Sequence, residues 1–358
     1  MLQLPTITIA GSPAQMGHAY GETLRASIRA FVEQRVRAAR VYLYERGIRD
    51  DQALLALGAQ CLAALKTWHP DGWSEVLATA EGAGVDAVEL YTTGNMTDVR
   101  DILVLGGMRA ESEGCTTAHA GRERTAGGQV IASQTWDLNP TDLDYVVAVH
   151  RRPTTGPATW SITCAGCPSL IGMNEHGVTV GTTNIKTRGS RVGIPYLSLL
   201  HRMLACPDRA SAEQLLVSAP RAAAHTYWIA DAEGVTDIEC TATTHVRRET
   251  GAAGALTRTN HCLVDEHRAR EGEAASASSQ KRLARAGAVL AAGGVTVDSL
   301  KALFADRSDG VDSINRFAED GQGTSTNACM IAVPATRTLH ACRGSSDRGA
   351  WIDLTFFC

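Results

Sequence analysis

Ser112-Glu113-Gly114-Cys115-Thr116-Thr117-Ala118 marks the point where the chain changes character, and its reading decides the fold. Before it the pattern is helical almost throughout. A short strand over 5–10 (PTITIA) gives way to Gly11-Ser12-Pro13, a turn followed by an N-cap serine and an N1 proline. From there to about Arg46, Leu24, Ile28, Phe31, Val32 and Val36 recur at spacings of three and four, with arginines on the other face, which predicts a helix. A second helix is predicted from Asp51 to Trp68 on Leu54, Leu57, Cys61, Leu62 and Leu65, with Pro70 as its stop. Two shorter ones follow over 73–83 and 86–104.

After the junction the segments QVIASQTWD, YVVAVHRR, TWSITCAG, GVTVGTTNI, HTYWIADAEG, VTDIECTAT, MIAVPAT and TLHACRG are short and rich in β-branched residues. Gly, Pro, Asp and Asn divide them, as they divide antiparallel strands and hairpins. Asn174-Glu175-His176-Gly177 reads as one hairpin turn, while helices are predicted over Pro195–Ala205, Ser211–Ser218 and the later part of 271–294. The fold class is α+β with a helical N-terminal third.

With 358 residues, 44% of them hydrophobic, the chain has material for a large core, which excludes a disordered or fibrous protein. Lys and Arg number 34 against 38 Asp and Glu, so no basic field points to nucleic acid or an anionic membrane. The first twenty residues carry no basic segment followed by a long apolar run, and no stretch approaches the ~20 apolar residues of a membrane span. The ten cysteines are scattered rather than framework-spaced, which reads as reduced thiols in a cytoplasmic protein.

A cysteine between Gly and Thr-Thr, at a switch in structure type, suits one mechanism. Gly114 brings no Cβ, so its carbonyl can lie close to the Cys115 sulfur. Thr116 and Thr117 favour an extended strand. If the thiolate attacks the Gly114 carbonyl, an N→S acyl shift and hydrolysis cut the chain into 1–114 and 115–358. Cys115 then carries both a thiol nucleophile and an α-amine of pKa about 7.7–8.0, a usable base at neutral pH. Taken alone, Gly-Cys-Thr is a weak motif, since a single cysteine among small residues is most often a packed thiol.

Further segments line up with the junction. They are Gly11-Ser12-Pro13 with Met16, Gly17 and Gly21; Glu113-Gly114-Cys115-Thr116-Thr117-Ala118; Gln134-Thr135-Trp136-Asp137; Gly172-Met173-Asn174 with Gly177-Val178; and Arg258-Thr259-Asn260-His261-Cys262. In that order and at similar spacings they resemble the acyl-coenzyme A:6-aminopenicillanic-acid acyltransferase family, the isopenicillin-N acyltransferase-like, self-cleaving cysteine hydrolases. The resemblance spans residues 8 to about 345. It implies the Ntn-hydrolase αββα sandwich, two stacked, mostly antiparallel sheets between helical layers. It implies cleavage between Gly114 and Cys115 into two chains that stay associated as a heterodimer. It also implies action on a small-molecule amide, by hydrolysis or by acyl transfer from a donor such as an acyl-coenzyme A.

Residue by residue, the resemblance makes Cys115 the nucleophile, Asp137 the carboxylate that orients the α-ammonium, and Asn260 a donor to the developing oxyanion. On an extended segment His261 must then face away from the site. Thr116, Thr135, Trp136 and Cys167 are candidates for the substrate pocket. The family arginine of a Gly-Arg-Pro segment corresponds to Ala341-Cys342-Arg343-Gly344-Ser345, where Arg343 stands one position early and the proline is missing. Either Arg343 fills that role through a local shift or the role is lost.

Other features carry less. Cys164-Ala165-Gly166-Cys167 has CxxC spacing but no second pair, and Cys167 or Ser169 reads better as lining a substrate pocket. The eleven histidines, His225 among them, show no zinc spacing, so no metal or other cofactor is expected. Two alternatives to the self-processing enzyme remain on sequence grounds: a hydrolase with an internal Cys and a separate His base, and a binding protein on a degraded Ntn fold.

Overall fold

The structure, a computed structural model, describes residues 1–45, 47–50, 52–104, 114–272 and 274–356. Arg46 and Asp51, named above as helix ends, and Ser112 and Glu113 of the junction lie outside the described residues, as does Cys358.

The N-terminal part consists of β1 (Thr6–Gly11), α1 (Pro13–Thr23), α2 (Arg25–Glu45), α3 (Ala53–Trp68), α4 (Pro70–Ala83), α5 (Ala87–Gly94) and α6 (Met96–Val104). Ser12 caps α1 as expected. Its hydroxyl accepts from Gln15 N at 3.3 Å, and Gln15 Oε1 accepts from Ser12 N at 2.8 Å. The helix read as continuous to Arg46 is in fact two, parted at Leu24, where φ is −109°. The cause lies in its glycines. A Cβ on Gly17 would stand 2.3 Å from Glu75 O and one on Gly21 2.2 Å from Thr79 O. So α1 lies on α4 at backbone contact distance, and α2 starts afresh to bury Ile28, Phe31 and Val32. Pro70, read as a stop, occupies the first turn of α4, where its missing N–H costs nothing.

After the junction come β2 (Thr116–Ala120), β3 (Ile131–Leu138), β4 (Val146–Pro153), β5 (Thr159–Cys164), β6 (Ile171–Asn174) and β7 (Thr179–Asn184). Next are α7 (Tyr196–Leu204), α8 (Arg209–Ser218), β8 (His225–Ala230), β9 (Val235–Cys240), β10 (His245–Glu249) and β11 (Ala255–Arg258). The chain closes with α9 (Asp265–Arg268), α10 (Ala277–Ala292), α11 (Val297–Phe304), β12 (Ser325–Val333), β13 (Thr338–Arg343) and β14 (Ile352–Leu354). The turn after β6 is made by Asn174, whose Oδ1 accepts from His176 N and Val178 N at 3.0 Å each, with Gly177 at φ 89°.

Among the described residues these strands form two sheets. One has eight strands in the order β1-β4-β5-β6-β7-β8-β9-β10, and the other six in the order β11-β2-β3-β12-β13-β14. Every pairing is antiparallel except β1 with β4. The sheets face each other across a core holding Trp136, Ala328 and Met330 from the smaller sheet and Ile162, Ile171 and Trp228 from the larger. Gln134 of β3 ties them directly. Its Nε2 donates to Thr182 O at 2.6 Å, and its Oε1 accepts from Thr182 N at 3.0 Å and Trp228 Nε1 at 2.6 Å. Gly181 leaves the room, since a Cβ there would come within 2.6 Å of that amide. Leu290, Leu300 and Phe304 of α10 and α11 cover the outer face of the smaller sheet, against Ala118, Ile131 and Ile331. On the outer face of the larger sheet, Met16 and Tyr20 of α1 pack on Val147 and Val149, alongside α7 and α8. The layers are αββα, as the family resemblance implies. No helix among the described residues is long and apolar enough to cross a membrane.

Candidate active site

Cys115 immediately precedes β2, the second strand of the smaller sheet. Gly114 and Cys115 are buried, and the Cys115 thiol donates to the main-chain oxygen of Asp137 on the adjacent strand β3, at 3.7 Å. Gly114 has no room for a side chain. A Cβ there would stand 2.7 Å from Arg316 Cδ, 2.8 Å from Arg316 Nε and 2.8 Å from Asp137 Cβ. The predicted nucleophile and the predicted carboxylate therefore meet at the predicted scissile bond.

Asp137 is fully buried. Burial pushes its carboxyl up to about 6, against the pull of the Arg316 and Arg282 guanidiniums. Thr135 Oγ1 donates to Oδ2 at 3.3 Å and accepts from Thr116 N at 3.1 Å, which fixes the strand pair. Oδ1 is buried with no hydrogen-bond partner. Arg316 precedes β12 in space and sequence, and it is held from both ends: Nη1 donates to Thr324 Oγ1 at 2.6 Å and Nη2 to Ser278 Oγ.

Asn260 follows β11. Its Nδ2 donates to Asn184 O at 3.1 Å, its N donates to Ser279 Oγ at 2.9 Å, and its Oδ1 accepts from Arg282 Nη2 at 3.1 Å. Adjacent His261 is turned the other way, onto Ser279 Oγ and Thr259 Oγ1, as the extended segment requires. Arg282, from the first turns of α10, is buried and joins the set. Nη1 lies 2.7 Å from Gly114 O, 2.5 Å from Cys115 O and 3.0 Å from Thr116 Oγ1. Burial and the neighbouring Arg316 lower its pKa to about 10, so it is still charged at neutral pH.

A small pocket opens on Cys115, walled by Trp136, Leu138 and Leu170 on its apolar side and by Thr97, Thr182, Asn184, Tyr196 and His225 elsewhere. His225 Nε2 is 2.6 Å from Asp98 Oδ1, and its ring stacks on Tyr196 at 4.6 Å, so its orientation is set from α6 and α7. Of the predicted pocket residues, Trp136 lines the wall, while Thr116 and Thr135 are wholly buried in the strand pair. Cys167 does not line it. Its thiol faces Gly94, where a Cβ would come within 3.0 Å, and burial pushes it up to about 12. The Cys164–Cys167 turn is held by the Tyr20 hydroxyl, which donates toward the carbonyls of both cysteines and accepts from Gly166 N.

Arg343 ends β13, and its guanidinium is taken up by Leu143 O at 2.9 Å and Asp144 Oδ1 at 3.1 Å, away from the pocket wall. The arginines at Cys115 are Arg282 and Arg316 instead. Ser278-Ser279-x-x-Arg282, one turn of helix after a serine pair, was the available signal for the first; Arg316 lay in a loop without pattern.

Two stacked sheets between helical layers thus surround a pocket that opens on a buried cysteine. The chain belongs to the acyl-coenzyme A:6-aminopenicillanic acid acyl-transferase family, whose model matches residues 124–348. That stretch begins after Cys115 and includes Asp137, Asn260, Arg282 and Arg316. Among curated proteins the chain is similar to the acyl-coenzyme A:6-aminopenicillanic-acid-acyltransferase 40 kDa form of Emericella nidulans, 22% identical over 261 residues, 72% of this chain and 70% of that protein. Among solved structures it is similar to penicillin V acylase from Agrobacterium tumefaciens, with a TM-score of 0.44 and 12% identity over 68% of this chain and 86% of that one. A mutant conjugated bile acid hydrolase from Clostridium perfringens matches with a TM-score of 0.43 and 12% identity, over 68% and 92% of the two chains.

Proposed function

We propose that the chain cuts itself between Gly114 and Cys115 and then works as an N-terminal-cysteine amidohydrolase on small carboxamides. The observation that supports this is the Cys115 thiol on the Asp137 main-chain oxygen, with Gly114 packed against Asp137 Cβ and Asn260 joined to the Gly114 carbonyl through Arg282. Segments 1–114 and 115–358 stay together as a heterodimer, because α6 supplies Thr97 to the pocket wall and Asp98 to the His225 that lines it.

In turnover the Cys115 α-amine takes the thiol proton and the thiolate attacks the substrate carbonyl. The Asp137 Oδ1 without a partner suits the resulting α-ammonium, which supplies the missing hydrogen bond and favours the ionised carboxylate. Asn260 Nδ2, now on the Asn184 carbonyl of the pocket wall, is a donor within reach of an oxyanion there. The amine leaves with the proton, and water releases the acyl group from the Cys115 thioester. Trp136, Leu138 and Leu170 suit a compact apolar acyl group. A second reading, acyl transfer from an acyl-coenzyme A to an amine, is supported by the name of the Emericella nidulans relative.

Intact mass of the denatured protein tests the proposal. Two species are expected, roughly one third and two thirds of 38.0 kDa, the larger beginning Cys-Thr-Thr-Ala, and a single full-length species for Cys115→Ala. A Cys115→Ala protein that is still cut refutes autocatalysis. Incubating the mature enzyme with an N-acyl amide, with and without added amine, separates hydrolysis from transfer.

A further inference from the structure

Attack of Cys115 on the preceding peptide puts negative charge on one atom, the Gly114 carbonyl oxygen. That oxygen already has a cationic donor, Arg282 Nη1, at 2.7 Å. The guanidinium cannot drift from this position. Nε donates to Ser278 Oγ at 3.2 Å, Nη2 to Asn260 Oδ1 at 3.1 Å, and Nη1 reaches Cys115 O and Thr116 Oγ1 as well as Gly114 O. The side chain is 1% exposed, so the contact works in a medium of low dielectric, where a charged donor is worth most. It is also anchored on α10, an element separate from the strand that carries the nucleophile, and so stays in place while the Gly114–Cys115 bond is made and broken.

We propose that Arg282 is the oxyanion donor of the self-cleavage, a catalytic residue for the processing step; this rests on the self-processing reading above. Cys115 Sγ, losing its proton, bonds to the Gly114 carbonyl carbon, and the carbonyl π pair moves onto the oxygen facing Arg282 Nη1. The C=O bond re-forms and the C–N bond breaks. The nitrogen pair takes up the proton, leaving a Gly114 thioester on Sγ and a primary amine on Cys115. One water then adds its hydroxyl to the Gly114 carbonyl and returns a proton to the sulfur. The same guanidinium, through Nη2, holds the Asn260 amide with its oxygen toward α10 and its NH₂ toward Asn184 of the pocket wall.

The test is the rate of self-cleavage, followed by intact mass on the full chain from the moment of purification or refolding. Arg282→Ala is expected to cut itself on the order of 10²–10³ times more slowly, the usual cost of one oxyanion donor. Added methylguanidinium should restore part of the rate, which loss of a merely structural residue would not allow. Arg282→Ala that cuts within threefold of the native rate overturns the proposal, and so does slow cutting that methylguanidinium leaves unchanged. If Arg282→Ala does not fold, Arg282→Lys is measured in its place: lysine keeps the charge but cannot reach Gly114 O and Asn260 Oδ1 together, so tenfold or slower cutting is expected and the native rate overturns the proposal. A native chain that never cuts, whatever stands at residue 282, overturns the self-processing reading and this one with it. Native cutting beside unimpaired Arg282→Ala overturns this one alone.

Discussion

Gly114→Ala offers a quantitative test of how tightly the scissile peptide is held. A Cβ at this position would lie 2.7–2.8 Å from Arg316 Cδ and Nε and from Asp137 Cβ. Relaxing such contacts to the ~3.5 Å of ordinary carbon–carbon packing needs a movement of about 0.7 Å. Arg316 cannot supply it, because Nη1 is tied to Thr324 Oγ1 at 2.6 Å and Nη2 to Ser278 Oγ. Asp137 sits within β3, in register with β12 on one side and joined to β2 by Thr135 on the other. The Gly114 segment must therefore shift. Overpacking of this kind costs about 1–3 kcal/mol, of which the stiffer unfolded chain of an alanine returns about 0.4–1 kcal/mol. The net expectation is a chain about 1–2 kcal/mol less stable, a fall of roughly 0.5 M in urea midpoint for a protein of this size. The same shift moves the carbonyl off Arg282, and a misplacement of ~1 Å can cost a reacting group about 10² in rate. Processing should slow by roughly ten- to a hundredfold, read by intact mass over time beside the urea titration. Cutting at the native rate with an unchanged midpoint would refute the crowding argument.

Three further outcomes follow from the charges. The Asp137 carboxyl is raised to about 6 from an ordinary value near 3.8, so its contribution to stability is whole below about 3.8 and is lost as pH rises through about 6, on the order of 3 kcal/mol by neutral pH. Asp137→Asn should remove that decline between about pH 4 and 6; a urea-midpoint profile with the same slope as the native protein would count against it. Arg316→Ala takes away a cation that holds the Asp137 carboxyl down, so the pH of half-maximal turnover should move upward. Arg343→Ala breaks the hydrogen bond to the Leu143 carbonyl and an ion pair with exposed Asp144, the latter worth about 0–1 kcal/mol, and should leave the processing rate within about twofold. Equal effects of the two arginines would return Arg343 to the site.

Much of the sandwich was legible because its central strands carry their burial in their composition. β3, β5, β7, β8 and β9 are buried along almost their whole length, and their β-branched runs between Gly, Asn and Asp turns mark them. The strands that composition leaves unmarked sit at edges. β10, His245–Glu249, alternates exposed and half-buried residues at the rim of the larger sheet, and Ala255–Arg258 closes the smaller one, so neither carries the apolar run that betrays a strand. The break at Leu24 is hidden for a different reason. Periodicity is a property of each helix face, and both α1 and α2 satisfy it; what parts them is the backbone contact of Gly17 and Gly21 with α4, a partner more than fifty residues away.

The candidate site divides along the same line. Cys115, Asp137 and Asn260 sit in short motifs at strand boundaries, where the residue types a reaction needs are rare enough to stand out. Arg282 and Arg316 do not. Arg282 reaches Gly114 across a sequence separation of 168, from a helix in another layer. Arg316 reaches the same bond from a loop flanked by Asn315 and Phe317. Arg343 attracted attention because its strand matched a pattern, yet its side chain is spent on the Leu143 carbonyl. A strand position decides on which side of a sheet a side chain emerges. It does not say which of several arginines arrives there from another layer. That depends on how α10 and the loop before β12 pack over the smaller sheet, and Gly114, where a Cβ would meet Arg316 and Asp137, reports the approach of that loop.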